Sequence, residues 1–341
     1  MTSLGFPNKF NKDISSVIAE FIIRKPLKLK EWIDINKLDN FYLTNNPKSL
    51  EILEYNQHKI YWWRLSINTN PIAIKLLEKN PDKIYWNNLC FNKNPNILKI
   101  LEKNPNKINW DILSINPIAI ELLEKNPNKI NWVWLSSNEN AIHLLEQNQD
   151  KIHWKNLSSN ENAIHLLEKN PDKIDWVKIH YNKNLNNIRL LEKNPDKIIW
   201  NILSENPNAI HLLEKNQDKI NWDSLSLNPN AIELLKENQD KINWILLSRN
   251  QYAIELLKKN QDKINWDNLS LNPNAIELLE QNQDKINWDN LSINPNAIHL
   301  LEKNLNKINW DYLSENPSIF CCDENKYKIL KNEYTKIIYN M

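Results

Sequence analysis

Four histidines occupy equivalent positions of a repeated, helix-forming segment, and imidazoles at a fixed spacing could bind a metal ion. They are His143, His165, His211 and His299. Packed helices of neighbouring repeats lie about 8 to 10 Å apart, whereas zinc ligands converge to about 2 Å from one ion. One histidine per repeat therefore disfavours a shared ion, and we expect no metal site.

Other side chains with reactive potential are few. Cys90, Cys321 and Cys322 are too few and too badly spaced for a disulfide framework or a four-ligand zinc site. The single glycine, Gly5, excludes a Gly-rich phosphate loop, a dinucleotide fingerprint and a G-x-S-x-G nucleophile elbow. We therefore predict no catalytic residues, no cofactor and no small-molecule substrate, so the chain is expected not to be an enzyme.

A tandem array dominates the chain. Its twelve regular tryptophans are separated by 22 residues or, in three intervals, by 24. They are Trp62, Trp86, Trp110, Trp132, Trp154, Trp176, Trp200, Trp222, Trp244, Trp266, Trp288 and Trp310. The unit reads W-x-x-L-S-x-N-P-N-A-I-x-L-L-E-x-N-(P/Q)-D-K-I-x-W, and a fixed period of this kind is typical of repeat solenoids. Because each Trp buries about 150 to 250 Å², we interpret the column as structural.

Each unit contains two predicted helix starts. Asn294 can cap a first helix (helix A) whose first residue is Pro295, where the missing amide does no harm. Asn287 can cap a second, shorter helix (helix B) that begins near Trp288. The carboxylate of Asp289 lies in its first turn, where it interacts favourably with the positive end of the helix dipole. A short strand at Lys-Ile-Asn-Trp, as in a leucine-rich repeat, is the alternative for helix B.

These elements predict an all-α fold, an α-solenoid of about 13 two-helix repeats of 22 to 24 residues. Residues 38–47 match the unit with Asn40 in the Trp position, so the array is predicted to span residues 38–317. Residues 1–37 are predicted to form capping or docking helices, and residues 318–341 a C-terminal cap. Solenoids need such caps because their terminal faces are otherwise exposed.

Two surfaces vary between units while the predicted core does not. The first follows the Trp, where several units have apolar residues: Trp63, Ile112, Val133, Trp134, Ile245 and Leu246. The second is one helix A position, which includes Lys75, Lys99, His143, His165, Arg189 and His211 and is acidic in later units. Exposed apolar patches mark interfaces, although curvature of the array could bury the first set. The second set could face an oppositely charged partner, or be a solvated face that varies freely.

A lysine precedes helix B in every regular unit, from Lys59 to Lys307. Such a stripe could follow phosphates, but most units also carry a Glu after the Leu-Leu pair, so paired charges between units are the simpler interpretation. Lys plus Arg number 43 against 42 Asp plus Glu. We therefore expect a protein partner rather than nucleic acid. No apolar stretch of 18 residues exists, so we also expect no membrane span.

The unit between Trp266 and Pro317 resembles the tandem repeats of uncharacterised proteins of giant DNA viruses that infect amoebae. The resemblance covers residues 38–317 and lies in the motif L-S-x-N-P-N-A-I-x-L-L-E. It implies a viral product inside an amoebal host, in the cytoplasm or the virion, and supplies no catalytic residues. The leading hypothesis is a non-enzymatic scaffold that binds a host or viral protein. The alternatives are a substrate adaptor that docks through residues 1–37, and a structural virion component.

Overall fold

The computed structural model describes residues 26–54, 56–329 and 332. The fold is mostly helical, at 64%, and its short helices follow the sequence repeat. The N-terminal helix expected within residues 1–25 lies outside the described residues. We name each unit by the residue in its Trp position, from the Asn40 unit to the Trp310 unit.

Helix B begins at the Trp position in nearly every unit, so the alternative of a strand there is wrong. Its bounds are Asn40–Asn45, Trp62–Ile67, Trp86–Phe91, Trp110–Ile115, Trp132–Leu135, Trp154–Leu157, Trp200–Leu203, Trp222–Leu227, Trp244–Leu247, Trp266–Ser270, Trp288–Ile293 and Trp310–Glu315. The Trp176 unit has a 3₁₀ helix, Lys178–Tyr181, instead. In eight regular units the preceding Asn or Asp accepts a hydrogen bond from a first-turn amide, as predicted for an N-cap.

Helix A carries the Leu-Leu pair. Its bounds are Leu50–Leu53, Pro71–Lys79, Ile97–Lys103, Ile120–Glu124, Ile142–Gln147, Ile164–Lys169, Leu185–Glu192, Ile210–Lys215, Ile232–Glu237, Ile254–Lys259, Ile276–Gln281 and Ile298–Glu302. Pro71 is the first helical residue after the Asn70 cap, as the sequence predicts. In three units a 3₁₀ turn comes first: Pro117–Ala119, Pro207–Ala209 and Pro295–Ala297. The cap at Asn294 is confirmed, but the α-helix there begins three residues later than predicted, at Ile298.

A further 3₁₀ turn joins helix A to helix B. Its bounds are Gln57–Lys59, Pro81–Lys83, Pro105–Lys107, Pro127–Lys129, Gln149–Lys151, Pro171–Lys173, Pro195–Lys197, Gln217–Lys219, Gln239–Lys241, Gln261–Lys263 and Leu305–Lys307. From Asn80 onward an Asn immediately precedes each turn and donates its side-chain amide to a carbonyl of helix A, as Asn80 does to the Leu76 carbonyl at 2.9 Å. This bond satisfies a carbonyl that the end of a helix leaves without a partner.

The core lies between successive units. The sequence predicts a core face of Ala297, Ile298, Leu300 and Leu301. Ala297, Leu300 and Leu301 are buried, together with Leu291 of helix B, whereas Ile298 is half-buried. The tryptophans are only partly buried and pack against the edge of this core. The structural role predicted for the Trp column therefore fits their contacts, although each indole keeps one exposed part.

Two buried polar columns link each unit to the next. Ser292 donates to the Trp288 carbonyl at 2.7 Å and accepts from the amide of Asn309 in the following unit at 3.1 Å. The side chain of Asn294 donates to two carbonyl oxygens of the previous unit, those of Ser270 and Asn272, both at 3.1 Å. Because the groups are buried, these bonds matter for stability: an unpaired buried polar group costs about 1 to 3 kcal/mol.

The first unit contacts the last unit through the same bonds. The amide of Asp39 donates to Ser314 Oγ at 2.8 Å, and Asn46 donates to the carbonyls of Ser314 and Asn316, both at 3.0 Å. Lys37 lies over the Trp310 ring at 4.9 Å, as other lysines do over the Trp of a preceding unit. The contacts between units therefore form a closed circuit.

A two-stranded antiparallel sheet lies beside this junction. Leu27–Leu29 pairs with Phe320–Cys322, with Lys28 opposite Cys321. The sequence predicts helices before residue 38 and separate caps for two open ends. Instead, residues 26–37 form this strand and a 3₁₀ turn, Ile35–Lys37, and the two segments contact each other. The terminal faces are thus covered by each other.

Candidate functional site

The residues on either side of each Trp form one edge of the array, which we call the post-Trp edge. At six junctions this edge is polar, because the Asn before one Trp donates to the Asn or Asp after the previous Trp. For example, Asn309 Nδ2 lies 3.0 Å from Asp289 Oδ1. The six pairs are Asn109–Asn87, Asn131–Asp111, Asn221–Asn201, Asn243–Asp223, Asn287–Asp267 and Asn309–Asp289. At these six junctions, then, this position serves contact between units.

Aromatic residues replace the polar pairs in the first three units. Phe41, Tyr61, Trp63 and Tyr85 occupy the equivalent positions, and we call them the aromatic arc. Phe41 and Tyr61 make an edge-to-face contact with centroids 5.4 Å apart, and the Phe41 and Trp63 centroids are 6.2 Å apart. The exposed fractions of Tyr61, Trp63 and Tyr85 are 43%, 40% and 53%. The arc is therefore a continuous aromatic surface of which a large part meets solvent.

A shallow cavity of about 580 Å³ opens between the Trp62 and Trp86 units within this arc. Its walls are Ile60, Tyr61, Trp62, Trp63, Asp82, Lys83, Ile84 and Tyr85. The Lys83 ammonium lies over Trp62 at 4.9 Å. The cavity lining therefore combines aromatic and aliphatic side chains with the carboxylate of Asp82 and the ammonium of Lys83.

Arg64 lies at the back of the arc. Its guanidinium carbon is 3.6 Å from the Phe41 ring centroid and 5.1 Å from that of Trp63. The buried Nε has no hydrogen-bond partner. Among the described residues no carboxylate pairs with Arg64. Arg64 was not predicted from the sequence, because its position varies between units and the residue type alone does not indicate stacking on aromatic rings.

The six apolar post-Trp residues predicted as one interaction surface are divided among several units. Trp63, Val133, Trp134 and Ile245 are exposed, as predicted. Ile112 and Leu246 are half-buried, which is the alternative that curvature suggested. Only Trp63 belongs to the aromatic arc. The units of Trp132 and Trp244 are not neighbours of the Trp62 unit, so the six residues do not form a single patch.

The histidines of the variable helix A column pair with the previous unit. His143, His165 and His211 lie 2.7 to 2.8 Å from Glu124, Glu146 and Glu192. Lys75, Lys99 and Arg189, which were grouped with them, make no ion pair among the described residues. Within that same part of the chain no group of three metal-binding side chains occurs. For the histidines, pairing between units accounts for their position without an external partner.

Among the described residues no lysine of the stripe pairs with a glutamate, so that part of the sequence interpretation is wrong. Instead, eight of the twelve ammonium groups stack on the Trp of the preceding unit, as Lys307 does over Trp288 at 4.6 Å. The stacked pairs are Lys83–Trp62, Lys151–Trp132, Lys173–Trp154, Lys219–Trp200, Lys241–Trp222, Lys263–Trp244, Lys285–Trp266, Lys307–Trp288 and, across the junction of the ends, Lys37–Trp310. The attraction of a cation to an indole face explains the preference.

In three units the interval to the next Trp is 24 residues, and the two extra residues lie at Asn68-Thr69, Asn92-Lys93 and Asn182-Lys183. Two of these insertions line similar grooves on another surface. Phe91 and Lys93 line one of about 350 Å³, and Tyr181 and Lys183 line an equivalent one of about 360 Å³. The second groove also contains His180, which replaces the column Ser. Its Nδ1 lies 2.5 Å from the Trp176 carbonyl, its Nε2 accepts from the Ile199 amide at 2.8 Å, and burial lowers its pKa.

No protein-family model matches the sequence, and no curated protein or solved structure is significantly similar to it. The giant-virus origin implied by the repeat motif therefore stays a prediction. In the described part of the chain, no helix has both the length and the apolar character required to cross a membrane.

Proposed function

We propose that the chain is a closed ring of about thirteen helical repeats that binds another protein through the aromatic arc. A closed ring is a more specific arrangement than the predicted α-solenoid. It is supported by the hydrogen bonds of Asp39 and Asn46 to the last unit. A closed circuit holds each unit between two neighbours, so its surface is organised before binding. Less ordering on binding means a smaller entropic cost.

The observation that carries the proposal is the replacement of polar pairs by aromatic residues in the first three units. Six other junctions show that Asn and Asp suffice at these positions. The fold therefore does not require Tyr61, Trp63 or Tyr85, and exposing their rings to water is unfavourable. Energetically dominant positions of protein interfaces are enriched in Trp, Tyr and Arg, and all three residue types meet here.

The test is a variant that restores the repeat consensus. Trp63→Asp with Tyr85→Asn should rebuild the polar pair seen between Asn131 and Asp111, which are joined at 2.8 Å. We expect the variant to fold, because it adopts an arrangement that the chain already uses. Ile245→Asp is the matched control, since it removes an exposed apolar residue from the same edge outside the arc.

Tagged full-length chain and both variants would be incubated with amoebal lysate, the host source that the repeat motif implies, and checked by circular dichroism. The proposal expects specific proteins that bind the wild type and the Ile245→Asp control but not the consensus variant. Equal recovery by the folded consensus variant, or no specific protein from the wild type, would count against it. Because this lysate contains host proteins only, lysate of infected cells would be tested in parallel to detect a viral partner.

A further inference from the structure

Arg64 differs from the residues at equivalent positions in other units. There, Asn88, Asn156, Asn268 and Asn290 donate their side-chain amides to a carbonyl of the previous unit, at 2.8 to 2.9 Å. Arg64 makes no such bond, and its guanidinium lies against the rings of Phe41 and Trp63 instead. The position has therefore exchanged a hydrogen bond to the previous unit for a cation–π contact with Phe41 of that unit and Trp63 of its own unit.

The stacking leaves the hydrogen-bonding capacity of the guanidinium unused. A guanidinium carries five N–H donors in its own plane, and the two rings that contact it offer no oxygen or nitrogen acceptor for them. Nε is buried without an acceptor, and no acceptor for the terminal nitrogens occurs among the described residues. Burying part of a cation without an anion is unfavourable, so an anionic partner would gain more here than at an ordinary surface arginine.

We propose that Arg64 binds a carboxylate side chain of the protein partner, next to an apolar side chain that enters the cavity between Trp63 and Tyr85. This inference rests on the proposed function and specifies its partner: a protein segment in which Asp or Glu lies near a large apolar residue. Arginine matches a carboxylate with two parallel hydrogen bonds. Because the rings hold the guanidinium plane, little side-chain freedom remains to be lost on binding.

The charges around Arg64 favour a protein carboxylate over a nucleic-acid phosphate. Asp82 lines the cavity, and Asp39 and Asp311 occupy the same edge at the adjacent junction of the ends. A nucleic-acid backbone carries a phosphate at every nucleotide and is bound by several cations in a row. Arg64 with the single cavity lysine, Lys83, does not provide such a row beside Asp82, whereas Trp, Tyr and Arg together are the residues enriched at the dominant positions of protein interfaces.

The experiment uses a random peptide display library selected on the full-length wild type and counter-selected on the Trp63→Asp, Tyr85→Asn variant. Each enriched peptide would be synthesised with its acidic residue intact and with that residue replaced by the corresponding amide. Calorimetry would then measure both peptides against the wild type and against Arg64→Asn, which restores the residue found at Asn88. Lys178→Asn, at the equivalent position of a distant unit, controls for loss of one positive charge.

We expect the acid-to-amide change to weaken binding to the wild type and to Lys178→Asn about tenfold or more, and to have little effect on Arg64→Asn. Enriched peptides that lack acidic residues, or an equal loss on Arg64→Asn, would overturn the role of Arg64 while leaving the arc as a binding surface. If no peptide binds the wild type better than it binds the Trp63→Asp, Tyr85→Asn variant, the result would count against the proposed function itself. Arg64-dependent binding of a fluorescent single-stranded oligonucleotide would reassign the arginine to phosphate.

Discussion

Asn46 donates a side-chain hydrogen bond of 3.0 Å to the carbonyl oxygen of Asn316, 270 positions further along the chain. Between sequence neighbours the same bond spans 22 or 24 positions, as from Asn294 to Asn272. The last unit thus stands in the place of a unit that would precede the first. The closure uses the side-chain hydrogen bonds that also join internal units, and the strand pair of Leu27–Leu29 with Phe320–Cys322 adds a further contact beside them.

Asn46→Ala should open this junction. Its removal leaves two buried carbonyls without a donor, and we expect a loss of about 2 to 4 kcal/mol in the free energy of unfolding. Hydrogen exchange would show faster exchange of the amides that pair Leu27–Leu29 with Phe320–Cys322. Asn250→Ala, which removes the same two bonds inside the array, is the control. Similar exchange of the paired strands in both variants would contradict a closure that depends on Asn46.

His180 should make stability depend on pH. Burial lowers its pKa, and Nε2 must stay unprotonated to accept from the Ile199 amide. The unfolded state binds a proton near pH 6.5 while the folded state resists it, so stability is full above that pH and falls as the pH is lowered through it. His180→Ser restores the column residue, so the difference in Tm between wild type and variant should change from pH 7.5 to pH 5. A constant difference would show that the pKa of the imidazole is the same in the folded and unfolded states, which would contradict its burial.

Cys90 should be protected from thiol reagents in the folded protein. It occupies the Ser column, is fully buried, and burial raises the pKa of its thiol. Reagents attack the thiolate, so only Cys321 and Cys322 should react at pH 8 under native conditions, and all three in denaturant. Mass spectrometry of labelled peptides would identify them. Cys90→Ser should change the labelling pattern little, and rapid native labelling at Cys90 would contradict a closed column.

Loss of a stacked lysine should cost a measurable amount of stability. Lys263 lies over Trp244 at 4.7 Å, and a cation over an exposed indole contributes about 0.5 to 1 kcal/mol. Lys263→Ala should lower the free energy of unfolding by that amount and shift the fluorescence of the indole. Lys129→Ala is the control, since this lysine occupies the same turn but is not stacked on Trp110 in the described structure. Equal losses of stability in the two variants would indicate that the positive charge near the end of helix A, and not the stacking on the indole, stabilises the fold.

The helices and the core were predictable because they depend on local signals. Asn caps, the Leu-Leu pair and the period of the tryptophans determine where helix A and helix B begin. Lys37 and Leu38 match the Lys-Ile that precedes each Trp, so a complete first unit was visible in the sequence. Its contact with the last unit was not, because closure depends on the sum of many small rotations between units that the sequence does not reveal.

The candidate site was predictable in part. Trp63 was selected because an apolar residue follows the Trp, and it lies in the aromatic arc. In the sequence, Tyr61 and Tyr85 are only exceptions to the Asn or Asp that precedes the Trp in most units. Their place in an aromatic surface depends on which residue of the neighbouring unit they contact, and the sequence does not show that residue. The pairing of an N-cap Asn with the Asp after the previous Trp could not be predicted, because it joins two positions about 20 residues apart through a loop whose path was unknown.

The contact of the Asn40 unit with the Trp310 unit also affects how the protein loses structure. In an open repeat array, melting begins at the ends, where a unit has one neighbour. Here every unit has two, so the first unit to melt must break two interfaces at once. We infer that partial unfolding is suppressed relative to an open array of the same units, and that cutting the chain once between two units would leave the fragments held together through the other junctions.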